Sequence, residues 1–437
     1  MEWQTLILII LGGLLVMLLS GMPIAFAFLS VCLVVIFLFL GGEAGLKQII
    51  LNISSHITRF VLLPLPLFIL MGEVIFHSGI APNMIDAIDK WIGRLPGRLG
   101  LLAVASGTVL ATLTGASMGS TAILGSLLTP EMEKRGYKKP MSLGPILGSG
   151  GLAIMIPPSG LAVYLGAIAM ISIGKILMGI VIPGLLIAVI IAAYIVIRCW
   201  LQPSIAPPYP VTSTPLSEKL LATAKYILPI GIIIFLVIGV ILLGIATPSE
   251  AAATGAVGTY LLAAIYKQLH WKMIKESLWG ALRITVLVFT ILVGAITFAQ
   301  ILAFSGATRG LAQFIIGLPV PPIAIFIFIQ LFALILGMFI TPIGVMTITV
   351  PLFLPVIEIL NFNQIWFAVI MLLNVEIATI SPPFGSGLYV MRGVAPPDTT
   401  MGDVYRAALP FLGCHLLAMA FIIVFPPLAL WLPNIMH

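Results

Sequence analysis

The sequence predicts an all-α polytopic membrane protein made of two inverted repeats, and three observations predict it. Apolar residues make up 61% of 437 and charged residues only 8%, far from the balance of a soluble domain. Runs such as 6–19, 31–40, 177–197, 227–245 and 409–432 carry few or no charges, and several approach or exceed the ~20 residues that cross a bilayer as a helix. The chain also contains itself twice. Pro23 and Pro248, Pro157 and Pro382, Pro158 and Pro383, Gly119 and Gly344, Pro130 and Pro355, and Tyr164 and Tyr389 all keep an offset of 225 residues. Ser78-Gly79 and Ser305-Gly306, and Pro183 and Pro410, lie 227 apart. In a membrane protein, breaks at corresponding positions of two halves point to a transporter and its binding site.

The backbone must be helical, because lipid offers no partner to an open strand and barrel alternation is absent. Residues 1–20 lack basic residues ahead of their apolar run, so they read as a retained first helix and not a signal peptide. Helices follow at 4–20, 23–40 and 60–77. An amphipathic membrane-surface segment is expected at 80–98, with its counterpart at 266–279. A re-entrant hairpin at about 99–131, a broken helix at about 141–172 and a helix at 176–200 complete the first repeat, 1–202. Residues 203–224, rich in Pro, Ser and Thr, read as a linker. The second repeat, 225–437, mirrors the first, with a hairpin at about 321–358 and a broken helix at about 364–391.

Charge sets the orientation. With the N-terminus outside, the basic clusters around Arg94, Lys134, Lys219, Lys272 and Arg406 all fall on the cytoplasmic side, leaving Lys47, Arg59, Lys175 and Arg309 outside. The positive-inside rule favours this arrangement, with both termini periplasmic and the halves inverted. The net charge of +6 is thus a topology signal and not a nucleic-acid footprint. Cys32, Cys199 and Cys414 lie in apolar runs with no metal or disulfide spacing, which predicts small buried hydrophobes.

Four places depart from simple apolar helix. The stretch 111–126 is dense in Gly, Ser and Thr in the middle of a segment too long for one crossing. A hairpin tip at Thr114, Gly115, Ala116 and Ser117 explains both facts, since non-helical backbone at membrane depth must face protein or a wet cavity. Its mate is 337–351, with Gly337, Thr341, Gly344, Thr347 and Thr349. The other two places are the breaks Pro157-Pro158-Ser159 and Ser381-Pro382-Pro383, the latter followed by Gly385. Consecutive prolines remove two donors and strand the carbonyls upstream. Those carbonyls and nearby hydroxyls suit an alkali cation, and the next half-helix N-terminus suits a carboxylate. Small-residue clusters also serve plain helix packing; four in register shift the balance to a site. Among ionisable groups inside the apolar runs, Glu376 and Asn374 rank first as site-shaping residues, while Glu73 and Glu250 are as well explained by structural hydrogen bonds. No nucleotide site or enzyme motif is present, so no organic cofactor is expected and an ion gradient must supply energy. Sodium fits the oxygen-rich breaks better than protons.

Several stretches carry a family resemblance: TGASMGSTAILGSLLTPEMEKRGY, IPPSGLAVY, SIGKILMGIVIPGLL, ATPSEAAATGAVG, GMFITPIGVMTITVPLFLPV, FAVIMLLNVEIATISPPFG and RAALPFL. In collinear order over essentially the whole chain, they resemble the large membrane subunit of tripartite ATP-independent periplasmic (TRAP) transporters. The resemblance implies a sodium-coupled importer of small carboxylates in a bacterial inner membrane. It implies an elevator mechanism, in which a transport domain carrying both hairpins moves against a scaffold. It also implies a separate small four-helix membrane subunit and a soluble periplasmic substrate-binding protein as partners. Its pattern has an acidic residue where this chain has Thr341. The nearest alternative is a stand-alone sodium/carboxylate symporter of related architecture. A channel or structural subunit, and an intramembrane enzyme built on Glu73 and His77, are weaker rivals.

Overall fold

The computed structural model describes residues 3–39, 42–93, 95–114, 117–209 and 214–436, and no β-strand occurs among them. The first half runs α1 (Trp3–Leu19), α2 (Ile24–Phe39), α3 (Glu43–Ile57), α4 (Pro64–Ser78), α5 (Ala81–Ile92), α6 (Arg98–Thr114), α7 (Ser117–Lys134), α8 (Lys139–Gly150), α9 (Gly160–Ala169), α10 (Ile173–Gly179) and α11 (Val181–Leu201). In the second half α12 (Leu216–Ala222), α13 (Leu228–Ile234) and α14 (Val240–Leu242) form one rod joined by π turns. Then come α15 (Pro248–Ile265), α16 (Trp271–Phe304), α17 (Ala307–Ile316), α18 (Pro322–Gly337), α19 (Pro342–Ile359), α20 (Gln364–Thr379), α21 (Ser386–Val394), α22 (Met401–Val424) and α23 (Pro427–Ile435).

Among the described residues, six helical spans are long and apolar enough to cross a membrane: Phe60–Ser78, Ile173–Leu201, Leu216–Leu242, Trp271–Phe304, Pro342–Ile359 and Met401–Val424. Large apolar side chains such as Leu8, Leu19, Val189 and Ile265 are exposed, a surface that belongs in lipid rather than water. Cys32, Cys199 and Cys414 are buried free thiols.

Local chemistry explains the boundaries. Gly79 ends α4 and Gly306 precedes α17, both left-handed with φ of 65° and 72°, where a side chain is strained. Thr247 and Glu250 form a capping box at the start of α15, which gives Glu250 a local structural role. Asn363 caps α20 through Oδ1.

Three expectations need correction. Segment 266–279 is not the mate of the amphipathic segment: from Trp271 it is the start of the 34-residue α16. The helix that follows the second Ser-Gly pair, as α5 follows the first, is α17, and both are strongly two-faced. The second half fuses into one rod what the first half divides between α3 and α4. The first half also contains α3, absent from the expected helices, because Glu43, Lys47, Gln48, Asn52 and His56 interrupt its apolar pattern. Helix also begins at Leu216, inside the expected linker.

The linker is strapped to the base of the first hairpin. Lys138 N donates to Ile205 O at 2.9 Å. The Tyr209 ring lies under the Arg135 guanidinium, 4.0 Å from its centroid, and Arg98 Nη1 donates to its hydroxyl at 3.1 Å. Farther along, Lys90 pairs with Glu218 and Trp91 Nε1 donates to Thr223, holding α12 to α5.

Candidate functional site

Each half places a helical hairpin beside an interrupted helix. In the first, α6 and α7 flank residues 115–116. Gly115 lies outside the described residues, Thr114 ends α6, and Ser117 opens α7 half-buried, its carbonyl accepting from Thr121 Oγ1 at 3.0 Å. In the second, α18 ends at Gly337 and α19 begins at Pro342. Thr341 caps α19, its Oγ1 accepting from Gly344 N at 3.4 Å; a neutral N-cap fills the position that the family pattern gives to an acid.

The breaks fall where the prolines put them. After α8 the chain tightens into a 3-10 turn, Gly151–Ile154, and reaches the cis peptide of Pro157-Pro158. Leu152 O accepts from Met155 N and Ile156 N, and neither proline can donate to Ala153 or Ile154 four residues back. Ser159 then caps α9, accepting from Ala162 N at 3.4 Å. Pro157, Pro158 and Ser159 are all buried. The second break is cis at Pro382-Pro383 and more open: Ser381 and Gly385 are buried, Pro382 half-buried, Pro383 and Phe384 exposed. Tyr405 donates to Pro383 O at 2.7 Å.

The four features converge. Gly150 approaches Thr121 so closely that a Cβ would overlap its side chain, joining the first break to the first hairpin. Ser149 Oγ also donates to Ala103 O of α6 at 3.2 Å. A Cβ on Gly337 would stand 2.5 Å from Ala378 Cβ, so the second hairpin touches α20 just before the second break. Phe339 at that tip and Phe384 in the break have ring centroids 5.7 Å apart. Contacts also cross between halves. Tyr164 on α9 and Thr347 on α19 hydrogen-bond at 2.5 Å; Thr347 donates to Ile343 O, so Tyr164 is the donor between them. Gly125 on α7 packs against Val394 and Met391 of α21.

The oxygen inventory at the second break is specific. Ser381 Oγ donates to Ile377 O and Thr379 Oγ1 to Glu376 O, both at 2.7 Å. Those hydroxyl hydrogens are already used. Ser386 Oγ is buried with no partner among the described residues. A Cβ on Gly385 would stand 2.5 Å from Thr379 O and 2.8 Å from Ser381 O, so glycine alone lets the chain pass these carbonyls. The Thr379 carbonyl loses its usual helical donor at Pro383, whereas the Ser381 carbonyl accepts from Gly385 N at 3.0 Å; the Thr379 carbonyl and the Ser386 hydroxyl are hard-oxygen donors, the chemistry that an alkali cation takes.

The other candidates lie nearby but are differently engaged. Asn374 is buried, its Nδ2 donating to Gln330 O and Oε1 at 2.6 and 2.8 Å. Glu376 is fully buried, with Oε1 3.0 Å from His415 Nε2. Sequence reasoning missed Thr379, Ser386, Tyr164, Gln330 and His415. Ser386 carried a signal as a hydroxyl following the break's glycine, and Tyr164 as the mate of Tyr389 in the 225-residue offset. His77 lies 3.3 Å from Glu73 and 3.5 Å from Glu276, a polar cluster between α4 and α16.

Interrupted helices and hairpins meeting inside an apolar helical body define a polytopic membrane protein of the transporter class. The chain belongs to the family described as tripartite ATP-independent periplasmic transporter, DctM component, whose model matches residues 11–428. It is 27% identical to the C4-dicarboxylate TRAP transporter large permease protein DctM of Rhodobacter capsulatus, over 98% of this chain and 99% of that one. It is 28% identical to the ectoine TRAP transporter large permease protein TeaC of Halomonas elongata, over 96% and 97%. The fold is similar to the crystal structure of the Alcanivorax borkumensis YdaH transporter, with a TM-score of 0.67 at 13% identity over 90% of each chain.

Proposed function

We propose that this chain is the large subunit of a bacterial inner-membrane importer that couples uptake of a small organic carboxylate to sodium. The observation that carries the reading is at the second break: Ser386 Oγ has no partner among the described residues, and the Thr379 carbonyl lies against Gly385. These oxygens would hold the cation. The N-terminus of α21, which starts at Ser386, and that of α9 would offer backbone amides to the carboxylate. Thr341, Gly344 and the expected tip at 114–117 would close the site from the hairpin side. The interior holds no fully buried Lys or Arg among the described residues, so bound cations would neutralise the anionic substrate.

Two inverted repeats, moving as a transport domain against a scaffold, would carry the site across the bilayer, with both termini periplasmic. A small four-helix membrane subunit and a periplasmic binding protein that hands over the substrate would complete the machine, and membrane lipid would cover its exposed apolar face. The substrates named for the relatives differ, which fits selection residing largely in the binding protein. The test is uptake by the three reconstituted proteins in vesicles, with a carboxylate panel and with sodium replaced by potassium. Uptake without sodium, or by this chain alone, overturns the reading; the second result favours a stand-alone symporter.

A further inference from the structure

Glu376 and His415 are both fully buried, and they come from different helices, α20 and α22. The Phe411 carbonyl can only accept, so His415 Nδ1, 2.8 Å from it, carries a hydrogen. His415 Nε2 then faces Glu376 Oε1 at 3.0 Å with a single hydrogen between them. On either atom, that hydrogen leaves the pair with zero net charge, the condition for burying it. Glu376 Oε2 has no partner among the described residues, so the bond to His415 anchors the carboxyl. On the other side sits Gly151, the first residue of the 3-10 turn leading to Pro157. A Cβ there would stand 3.0 Å from both Glu376 Cγ and Oε1. Glu376 thus lies between the approach to the first break and α22, shortly before the second break on its own helix.

We propose that Glu376 and His415 are a positioning pair for transport: their bond pins α20 to α22 and seats the turn at Gly151, so that both breaks keep one geometry. The pair acts through the breaks and does not touch the cation. This rests on the transport reading above, and wild-type sodium-dependent uptake in the same vesicles tests that reading separately. Glu376→Gln keeps a donor to Nε2 and keeps the pair neutral, so its sodium half-saturation should stay within about threefold of wild type. Glu376→Ala and His415→Ala should each raise it about tenfold or more, and the double variant should be no worse than either single one, because the two act as a unit. Gly151→Ala should resemble Glu376→Ala. Monodisperse elution in detergent and thermal unfolding with and without sodium keep a folding defect apart from a positioning defect. A Glu376→Gln variant as defective as Glu376→Ala overturns the proposal, since the carboxylate itself would then be in use. Additive losses in the double variant, or wild-type sodium dependence in His415→Ala, overturn it as well. Should the wild-type complex show no uptake, the same cycle read in thermal unfolding still decides whether the pair is coupled, and a lack of coupling overturns it.

Discussion

Gly385→Ala adds one methyl group where the structure has least room for it. The new Cβ would stand 2.5 Å from Thr379 O and 2.8 Å from Ser381 O, well inside ordinary contact, and both obstacles are backbone. No side chain can rotate away, so the chain at 379–386 must move. Forcing a methyl into a packed interior costs about 1–3 kcal/mol. If that strain is relieved by displacing the Thr379 carbonyl and the Ser386 hydroxyl, cation affinity falls by the same amount, roughly 5- to 150-fold at ~1.4 kcal/mol per tenfold. The assay is initial-rate uptake by the reconstituted complex across a sodium titration, with reconstituted protein quantified. The half-saturating sodium concentration should rise while the protein still inserts and elutes as a single species. An unchanged sodium curve at full expression would refute the assignment of the Thr379 carbonyl to the cation.

Ser386→Ala should raise the sodium half-saturation by about fivefold with little loss of thermal stability, because Oγ has no protein partner to lose; equal sodium dependence would remove Ser386 from the donor set. Replacing Pro382-Pro383 by two alanines returns the missing donors and should abolish uptake without preventing membrane insertion, as should a bulky residue at Ser117; wild-type uptake in either would sink the site. Tyr164→Phe removes the one hydroxyl donated to Thr347 and should cost about 1 kcal/mol in thermal unfolding. Outside the membrane, Lys139 pairs with Glu133 at 3.0 Å and Asp398 at 2.8 Å. The hydrogen bond from Lys139 holds the Asp398 carboxyl below its usual range. That stabilisation is complete above the ordinary aspartate value of ~3.9 and is lost only as pH falls through the lower folded value, so Asp398→Asn should leave the shape of the stability profile between about pH 5 and 8 as in wild type.

The hairpins and breaks were legible because each leaves a local mark. Glycine and hydroxyl density at 111–126 marks the stretch where α6 gives way to α7, and the double prolines lie within both helix interruptions. The reading of 266–279 rests on amphipathic pattern alone, whereas the Ser305-Gly306 marker points to α17, which follows it. What stayed hidden is what depends on distant segments. His415 sits in an apolar run and reads as a stray histidine until α22 packs on α20. Tyr164 and Thr347 are 183 residues apart. The oxygen left over at Ser386 cannot be told from its neighbours until Ser381 and Thr379 are seen bonding back into their own helix.

At 34 residues, α16 is about 51 Å long at ~1.5 Å per residue, against a hydrocarbon thickness of ~30 Å. It must lean steeply or stand proud of the bilayer, and its exposed Trp271 and Trp279 mark the headgroup level near one end. Such an oversized rod is sensitive to lipid chain length: thinner bilayers favour more lean or more overhang, thicker ones less. The speed of this machine is therefore expected to vary with the acyl chains of the vesicles that hold it, even when sodium and solute are fixed.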